Sequence, residues 1–313
     1  MRTISLTKAL RALRRNAMLH GLARLGERRR RILAWRVMQA AGVSEVTFTR
    51  DGLTWRVPAG DSHIGFGLFV EGGFAQGAIE VLLAWLQAQG RAPGPEDVIV
   101  DIGANIGTTC IPMVRACGCR AVAVEPMPEI VARLRDNVDR NGMADRIVLV
   151  EAAIARTAGR VVMQAGHDIG AATVVPPLHA AAINRGDLAD VVGMPLSELL
   201  TRAGVHPSEV ALVWADAQGS ESDVIETGEA LWARGVPLWA EFEPGLLAQH
   251  GGVEAFFAAT RRHFDRFIEA PRLLRDGPSA APHDIARLPA VLAGVPIQTD
   301  VLLLSPSLSA RLP

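Results

Sequence analysis

The stretch Val98 to Gly107, Val-Ile-Val-Asp-Ile-Gly-Ala-Asn-Ile-Gly, constrains the fold more than any other in the chain. Its first half is a short β-branched run ending in Asp101, the pattern of a strand buried on both faces in a parallel sheet. Its second half is a glycine turn. Gly103 and Gly107 remove side chains where the backbone must bend and where a ligand can lie against it. Thr108 to Ala116 continues with helical apolar spacing, and Pro112 falls in the first turns, where a missing N–H does least harm. Strand, glycine turn and helix in succession are how doubly wound α/β folds build a small-molecule site at the carboxyl end of the sheet. The glycines are spaced Gly-x-x-x-Gly, not the Gly-x-Gly-x-x-Gly of dinucleotide sites, which disfavours a nicotinamide-dependent oxidoreductase.

Further strands follow this one. Arg120 to Glu125 reads as a second buried strand, and Pro128 starts a helix with Ile130, Leu134 and Val138 on one stripe, closed by Asn141-Gly142. Arg146 to Glu151 is a third strand and Val210 to Gly219 a fourth, ending at Asp216. A helix from Ser220 to Arg234 precedes a fifth strand from Pro237 to Glu243. A helix over Val253 to Phe264, a short strand to Ile268 and a terminal strand from Thr299 to Leu304 complete the count at seven. The fold class is α/β, a doubly wound, seven-stranded, mostly parallel sheet.

Residues 1–77 read as an N-terminal extension of helices and a β-ribbon, and 78–313 as the main domain with an insertion at about 156–207. Met1 to Gly42 has apolar residues at a roughly helical period. Glu45 to Pro58 alternates as a hairpin turning at Arg50-Asp51-Gly52. Ala78 to Gln89 reads as a helix, with Pro93-Gly94-Pro95 leading into the central strand. In the insertion, Gly159 to Met163 and Gly170 to Val175 read as two short strands before the Pro176-Pro177 break, and Leu178 to Asp190 is weakly patterned.

The net charge of −1 hides an asymmetry. Met1 to Arg50 holds twelve Lys/Arg and two Asp/Glu, so the remainder is left at −11. An acidic body argues against nucleic acid as a substrate. The Arg-rich start, Arg28 to Arg31 above all, is suited to contact with an anionic surface, although a solvated helix face explains it as well. Cys110, Cys117 and Cys119 are odd in number and lack a second cluster, so neither a disulfide framework nor a metal site is expected. Free thiols, and the lack of a membrane-length apolar run or a signal-peptide pattern, point to the cytoplasm.

Asp-Ile-Gly-Ala-Asn-Ile-Gly resembles the first motif of class I S-adenosylmethionine-dependent methyltransferases, in the version carried by the FkbM family. The resemblance runs from about Ala78 to Leu304. Val-Glu-Pro-Met-Pro at Val124 to Pro128 is similar to that family's Glu-Pro step. Val-Trp-Ala-Asp-Ala-Gln-Gly-Ser-Glu is similar to its Lys-x-Asp-x-Glu-Gly-x-Glu signature: Asp216, Gly219 and Glu221 are kept, while Trp214 and Gln218 replace Lys and Glu. Asp-Val-Leu-Leu-Leu resembles its ending, and implies that the last strand runs antiparallel.

The cofactor implied is S-adenosylmethionine. Asp101, Gly103, Asn105 and Gly107 would surround its amino acid end, with Glu80 and Asp216 in reach. Glu125, twenty-two residues past Gly103, has the spacing of a carboxylate that accepts both ribose hydroxyls. Ala153 would leave room for the adenine edge. Methyl transfer to a hydroxyl needs an acceptor held in line and is helped by a general base. Asp216, Glu221 and Glu241 are the catalytic candidates, with Glu243 and His250 close by; a helix cap for Glu221 and a surface position for His250 are the plainer alternatives. The resemblance implies a small-molecule or glycan acceptor, a hydroxyl on a sugar, polyketide or other secondary-metabolite scaffold. Since Gln218 can hydrogen-bond but cannot act as a base, a binding protein that has lost transfer is the second reading.

Overall fold

A computed structural model describes residues 26–164, 172–174 and 188–310. Residues 1–25, 165–171 (with His167), 175–187 and 311–313 therefore lie outside the described residues. The chain opens with helix Glu27–Ala40 and the hairpin β1 (Glu45–Arg50) and β2 (Leu53–Pro58), then a helical turn over Ile64–Glu71 and helix Gln76–Ala88. The Asp51-Gly52 corner has positive φ at both residues, the conformation that matches the twist of a tight hairpin.

The central strands follow as β3 (Val98–Ile102), β4 (Arg120–Val124) and β5 (Ile147–Val150). Next come β6 (Ala153–Ile154), β7 (Gly159–Gln164), β8 (Thr173–Val174) and β9 (Leu188–Met194). The remaining strands are β10 (Val210–Ala215), β11 (Leu238–Phe242), β12 (Arg266–Glu269), β13 (His283–Asp284) and β14 (Thr299–Leu304).

The main sheet has the order β13-β12-β14-β11-β10-β3-β4-β5. It holds eight strands where the sequence reading counts seven; the addition is β13, two residues pairing with the outer edge of β12 and too short to leave a periodic signal. Strands β11, β10, β3, β4 and β5 are parallel, and β14 runs antiparallel between β11 and β12. Helices cover both faces, as alternation along the strands requires. Val98, Val100 and Ile102 join a core with helices Leu196–Arg202 and Val253–His263. Ile99 joins the opposite core, with helices Gln76–Ala88, Cys110–Cys117 and Pro128–Arg140. The chain order reverses between β3 and β10, and the carboxyl ends of those strands border the crevice described below.

Two features shape the mouth of that crevice. The N-terminal hairpin shares the core that holds Trp35, Phe69 and Trp85. It is also tied to helix Pro128–Arg140 by side chains that mimic a strand edge. Asn141 donates to the Thr54 carbonyl and accepts from its N–H, each at 2.9 Å. Fully buried Asn137 accepts from the Arg56 N–H at 2.7 Å and donates to the Ile106 carbonyl in the glycine turn at 3.0 Å. The second feature is a satellite sheet, β6-β9-β7-β8, formed by the insertion together with the preceding Ala153–Ile154. The β7 and β8 strands of the sequence reading pair antiparallel there. Strand β9 covers part of the stretch that reads as weakly patterned, because Ala189, Asp190 and Gly193 break its apolar alternation.

Among the described residues no single helix is long and apolar enough to cross a membrane; the bent pair Ile64–Glu71 and Gln76–Ala88 passes on length and composition together, and its apolar residues are core.

Candidate active site

A crevice of about 440 Å³ opens over the carboxyl ends of β3, β4, β10 and β11, with β14 and the satellite sheet closing its sides. Gly103 lines it at φ +82, a conformation L side chains avoid. A Cβ there would also collide with the carbonyl of Asp216, so glycine is required because the β3 and β10 tips pass so close. Asn105, at φ +51, also lines it. Glu125 reaches in from the β4 tip. Its two oxygens accept the Asn105 N–H at 3.1 Å and the Met127 N–H at 3.0 Å, which fixes the carboxylate and leaves each oxygen a further lone pair. Burial raises its pKa to about 7 against the pull of those two N–H groups. Ala152 and Ala153 line the wall beyond it.

The opposite end of the crevice is acidic. Asp216, Glu241, Glu243 and Asp300 line it, with Gln218, Gln298 and Trp214. Gln218 Nε2 donates to Asp216 Oδ1 at 2.7 Å and lies 3.4 Å from Glu241 Oε2; Gln298 Nε2 donates to Glu241 Oε1 at 3.1 Å. The substitution of Gln218 for an acidic residue thus supplies an amide between two carboxylates instead of a third negative charge. Trp214 stacks on Trp239, ring centres 4.9 Å apart and planes 15° from parallel. Burial raises the pKa of Asp216, and raises that of Glu241 strongly, with the Asp216 charge adding to it. Asp300 is raised to about 7 by burial, again with Asp216 adding. Glu243 is raised in the same direction by its partial burial.

The sequence candidates separate on this geometry. Gly103, Asn105, Glu125, Ala153, Asp216 and Glu241 meet at the crevice. Five others do not line it. Asp101 is fully buried beneath the turn, where it accepts the Cys110 N–H at 3.0 Å and holds the start of the following helix; burial raises its pKa to about 7. Gly107 is a packing glycine, since a side chain there would press on Ile111 and Leu134. Glu80 is exposed and pairs with Gln76 of its own helix at 2.7 Å. Glu221 is 1% exposed and accepts the N–H groups of Ala217 at 2.8 Å and Gly219 at 3.4 Å, so it shapes the loop below Gln218 and faces no substrate space. His250 packs beside Gly219, where burial lowers its pKa.

Other lining residues were not singled out one by one in the sequence reading. His63, Ile64, Phe74 and Ala75 come from the N-terminal extension, Met163, Ala172 and Val174 from the satellite sheet, and Gln298 and Asp300 from the last strand. Only Asp300 had a local signal, its place at the start of the apolar run Val301 to Leu304.

Strand order and glycine turn together define the class I methyltransferase architecture, whose methyl donor is S-adenosylmethionine. The donor set fits that group: a fixed carboxylate for a diol at one strand tip, a side-chain-free turn at the next, and acids toward which a cation would be drawn. Residues 101–267 match the family model described as the methyltransferase FkbM domain, and the chain belongs to that family. A 2-O-methyltransferase, NoeI, from Sinorhizobium fredii is 27% identical over 160 residues, 47% of this chain; the chain spans 64% of that relative's length. Among solved structures, TYW2 from Pyrococcus horikoshii in complex with MeSAdo is 11% identical, with a TM-score of 0.41 over 89% of this chain and 81% of that one. A geranyl diphosphate methyltransferase in complex with SAM shares 12% identity, with a TM-score of 0.39 over 76% of this chain and 86% of that one.

Proposed function

We propose that the protein is an S-adenosylmethionine-dependent O-methyltransferase acting on a hydroxyl of a sugar, polyketide or other secondary-metabolite scaffold. The observation that carries the reading is the pairing of Gly103 with Glu125, a bare turn and a fixed carboxylate on neighbouring strand tips facing one crevice. In it Glu125 accepts the ribose hydroxyls, Gly103 and Asn105 border the amino acid end with Asp216, and Ala153 lies by the adenine. The bound cofactor supplies an electrophilic methyl group on a good leaving group, so the chain's task is alignment and exclusion of water. The acceptor enters at the acidic end, between the Trp214 face and the satellite sheet, where Asp216 and Glu241 are the catalytic candidates in contact with it.

The 2-O-methyltransferase named among the relatives supports an oxygen acceptor. Residues 78–313 serve as the transferase domain, and 1–77 as an extension whose hairpin steadies the glycine turn through Asn137. Titration calorimetry with S-adenosylhomocysteine tests the cofactor assignment, with saturable one-to-one binding expected. Transfer of labelled methyl to a panel of glycosides and polyketides tests the acceptor class. Binding without transfer to any member would favour the non-catalytic reading that Trp214 and Gln218 raised.

A further inference from the structure

Four carboxylates, Asp216, Glu241, Glu243 and Asp300, line the acidic end of the crevice. Among the described residues that line it, none is Lys or Arg. Glu241 and Asp300 are direct neighbours across the antiparallel pairing of β11 with β14. Several ionisable groups stand around this pair. Asp216 stands on the β10 tip, Glu221 behind it on helix Glu221–Thr227, Glu243 on the loop after β11, and His63 on the turn before Ile64. Among the described lining residues, His63 is the one basic side chain. Ionising all of these carboxylates together in a partly dry space is unfavourable, so the pair holds a proton when no cation is near.

We propose that Glu241 and Asp300 form a proton-holding pair that exchanges a proton for the positive charge of the methyl donor, releasing it as the cation enters and taking the acceptor hydroxyl's proton as that charge is lost. The account rests on the crevice being the cofactor site. The step balances. The oxygen-to-methyl bond forms, the carbon–sulfur bond breaks with its electron pair going to sulfur, and the hydroxyl proton passes to the carboxylate pair. One positive charge disappears from the crevice as one negative charge is neutralised. The site therefore has the same net charge before and after transfer, and no ion has to cross its wall during the reaction.

The direction of the pKa shifts agrees. Asp300 at about 7 is half protonated near neutral pH, and Glu241, raised further, holds its proton more tightly. A neighbouring cation lowers both, so protons leave on binding.

The test is calorimetry near pH 7 in two buffers of different ionisation enthalpy, which counts the protons released on binding. Wild type, Asp300→Asn and Glu241→Gln are each titrated with S-adenosylmethionine and with S-adenosylhomocysteine. The ligand's own amino group contributes alike to every protein and cancels in the difference. With S-adenosylmethionine, wild type should release about half a proton more than Asp300→Asn. With S-adenosylhomocysteine, which lacks the sulfonium, that difference should vanish. Equal proton counts in wild type and variants, or the same difference with both ligands, would overturn the proposal while leaving the cofactor site standing. No binding of either ligand would overturn the site and the proposal together. Should a variant not fold, wild type alone still decides: its S-adenosylmethionine affinity should tighten by about threefold to tenfold more than its S-adenosylhomocysteine affinity as pH rises through 7, and parallel profiles would contradict it.

Discussion

The two ends of the crevice are built on different principles. At the Glu125 end, Gly103, Asn105 and Glu125 lie within one strand-turn-helix-strand unit, and backbone N–H groups lock the carboxylate in place. At the acidic end, Asp216 and Glu241 come from β10 and β11, Gln298 and Asp300 from the much later β14 and the residue before it, and the side-chain amides of Gln218 and Gln298 bond to Asp216 and Glu241. The first arrangement suits a ligand that is always the same. The second can be altered by changing one strand tip or the satellite sheet without disturbing the other end, which is how a shared fold acquires different acceptors.

The contrast can be broken most severely at Gly103. Gly103→Ala places a methyl against the Asp216 carbonyl at a positive φ, and the strand tips that define both ends must part. A loss of about 3 kcal/mol or more is expected in urea unfolding; a loss under about 1 kcal/mol would mean the two tips are not rigidly apposed. Glu125→Ala should act on one end only. It should weaken S-adenosylhomocysteine binding by about 1.5 to 3 kcal/mol, the range for a lost hydrogen bond to a charged group, with the fold retained. Unchanged affinity in a folded variant would remove Glu125 from the ribose role.

A pH experiment sharpens the comparison without mutation. Asp101, Glu125 and Asp300 are raised to about 7 and Glu221 to about 8, so the folded protein binds more protons than the unfolded chain above the ordinary carboxylate range. The stability these groups lend is complete below their unfolded values and is lost as pH rises through the folded ones. The melting temperature of the ligand-free protein should therefore fall from about pH 5 to about pH 8, as followed by scanning calorimetry. A flat or rising profile would show that these carboxylates are better solvated than their burial implies. The smallest effect is expected at Glu80, where Glu80→Ala should leave both stability and cofactor affinity within about 0.5 kcal/mol, as an exposed helix carboxylate bonded to Gln76 should.

The same division governs what the sequence made legible. Val98 to Gly107 and Val124 to Pro128 carry their structure locally, in β-branched runs, glycines at positive φ and a proline at a helix start, and from them Gly103, Asn105 and Glu125 could be assigned to the crevice, whereas Asp101 and Gly107 proved to serve the turn's own hydrogen bonding and packing. Helix Pro128–Arg140 begins and ends where its Pro and Asn-Gly signals place it. Glu221 misled because a carboxylate after a strand tip has two uses, and the backbone N–H groups of Ala217 and Gly219 claimed it. Asp300 and His63 were hidden for the converse reason. The apolar run after Asp300 marks a strand but not which strand it joins, His63 has no such mark, and the antiparallel return of β14 and the docking of the N-terminal extension bring them to the crevice. The Ile64–Glu71 turn was missed because its glycines mask a helical conformation that packing of Leu68, Phe69 and Val70 enforces.

A crystal structure of the complex with S-adenosylhomocysteine tests the central claim most directly. The account predicts the ribose hydroxyls within hydrogen-bonding distance of Glu125, the amino acid part against the Gly103 turn, and the sulfur directed toward Asp216, Glu241 and Asp300. A ligand bound elsewhere, or one whose ribose leaves Glu125 bonded to the Asn105 and Met127 backbone alone, would contradict it.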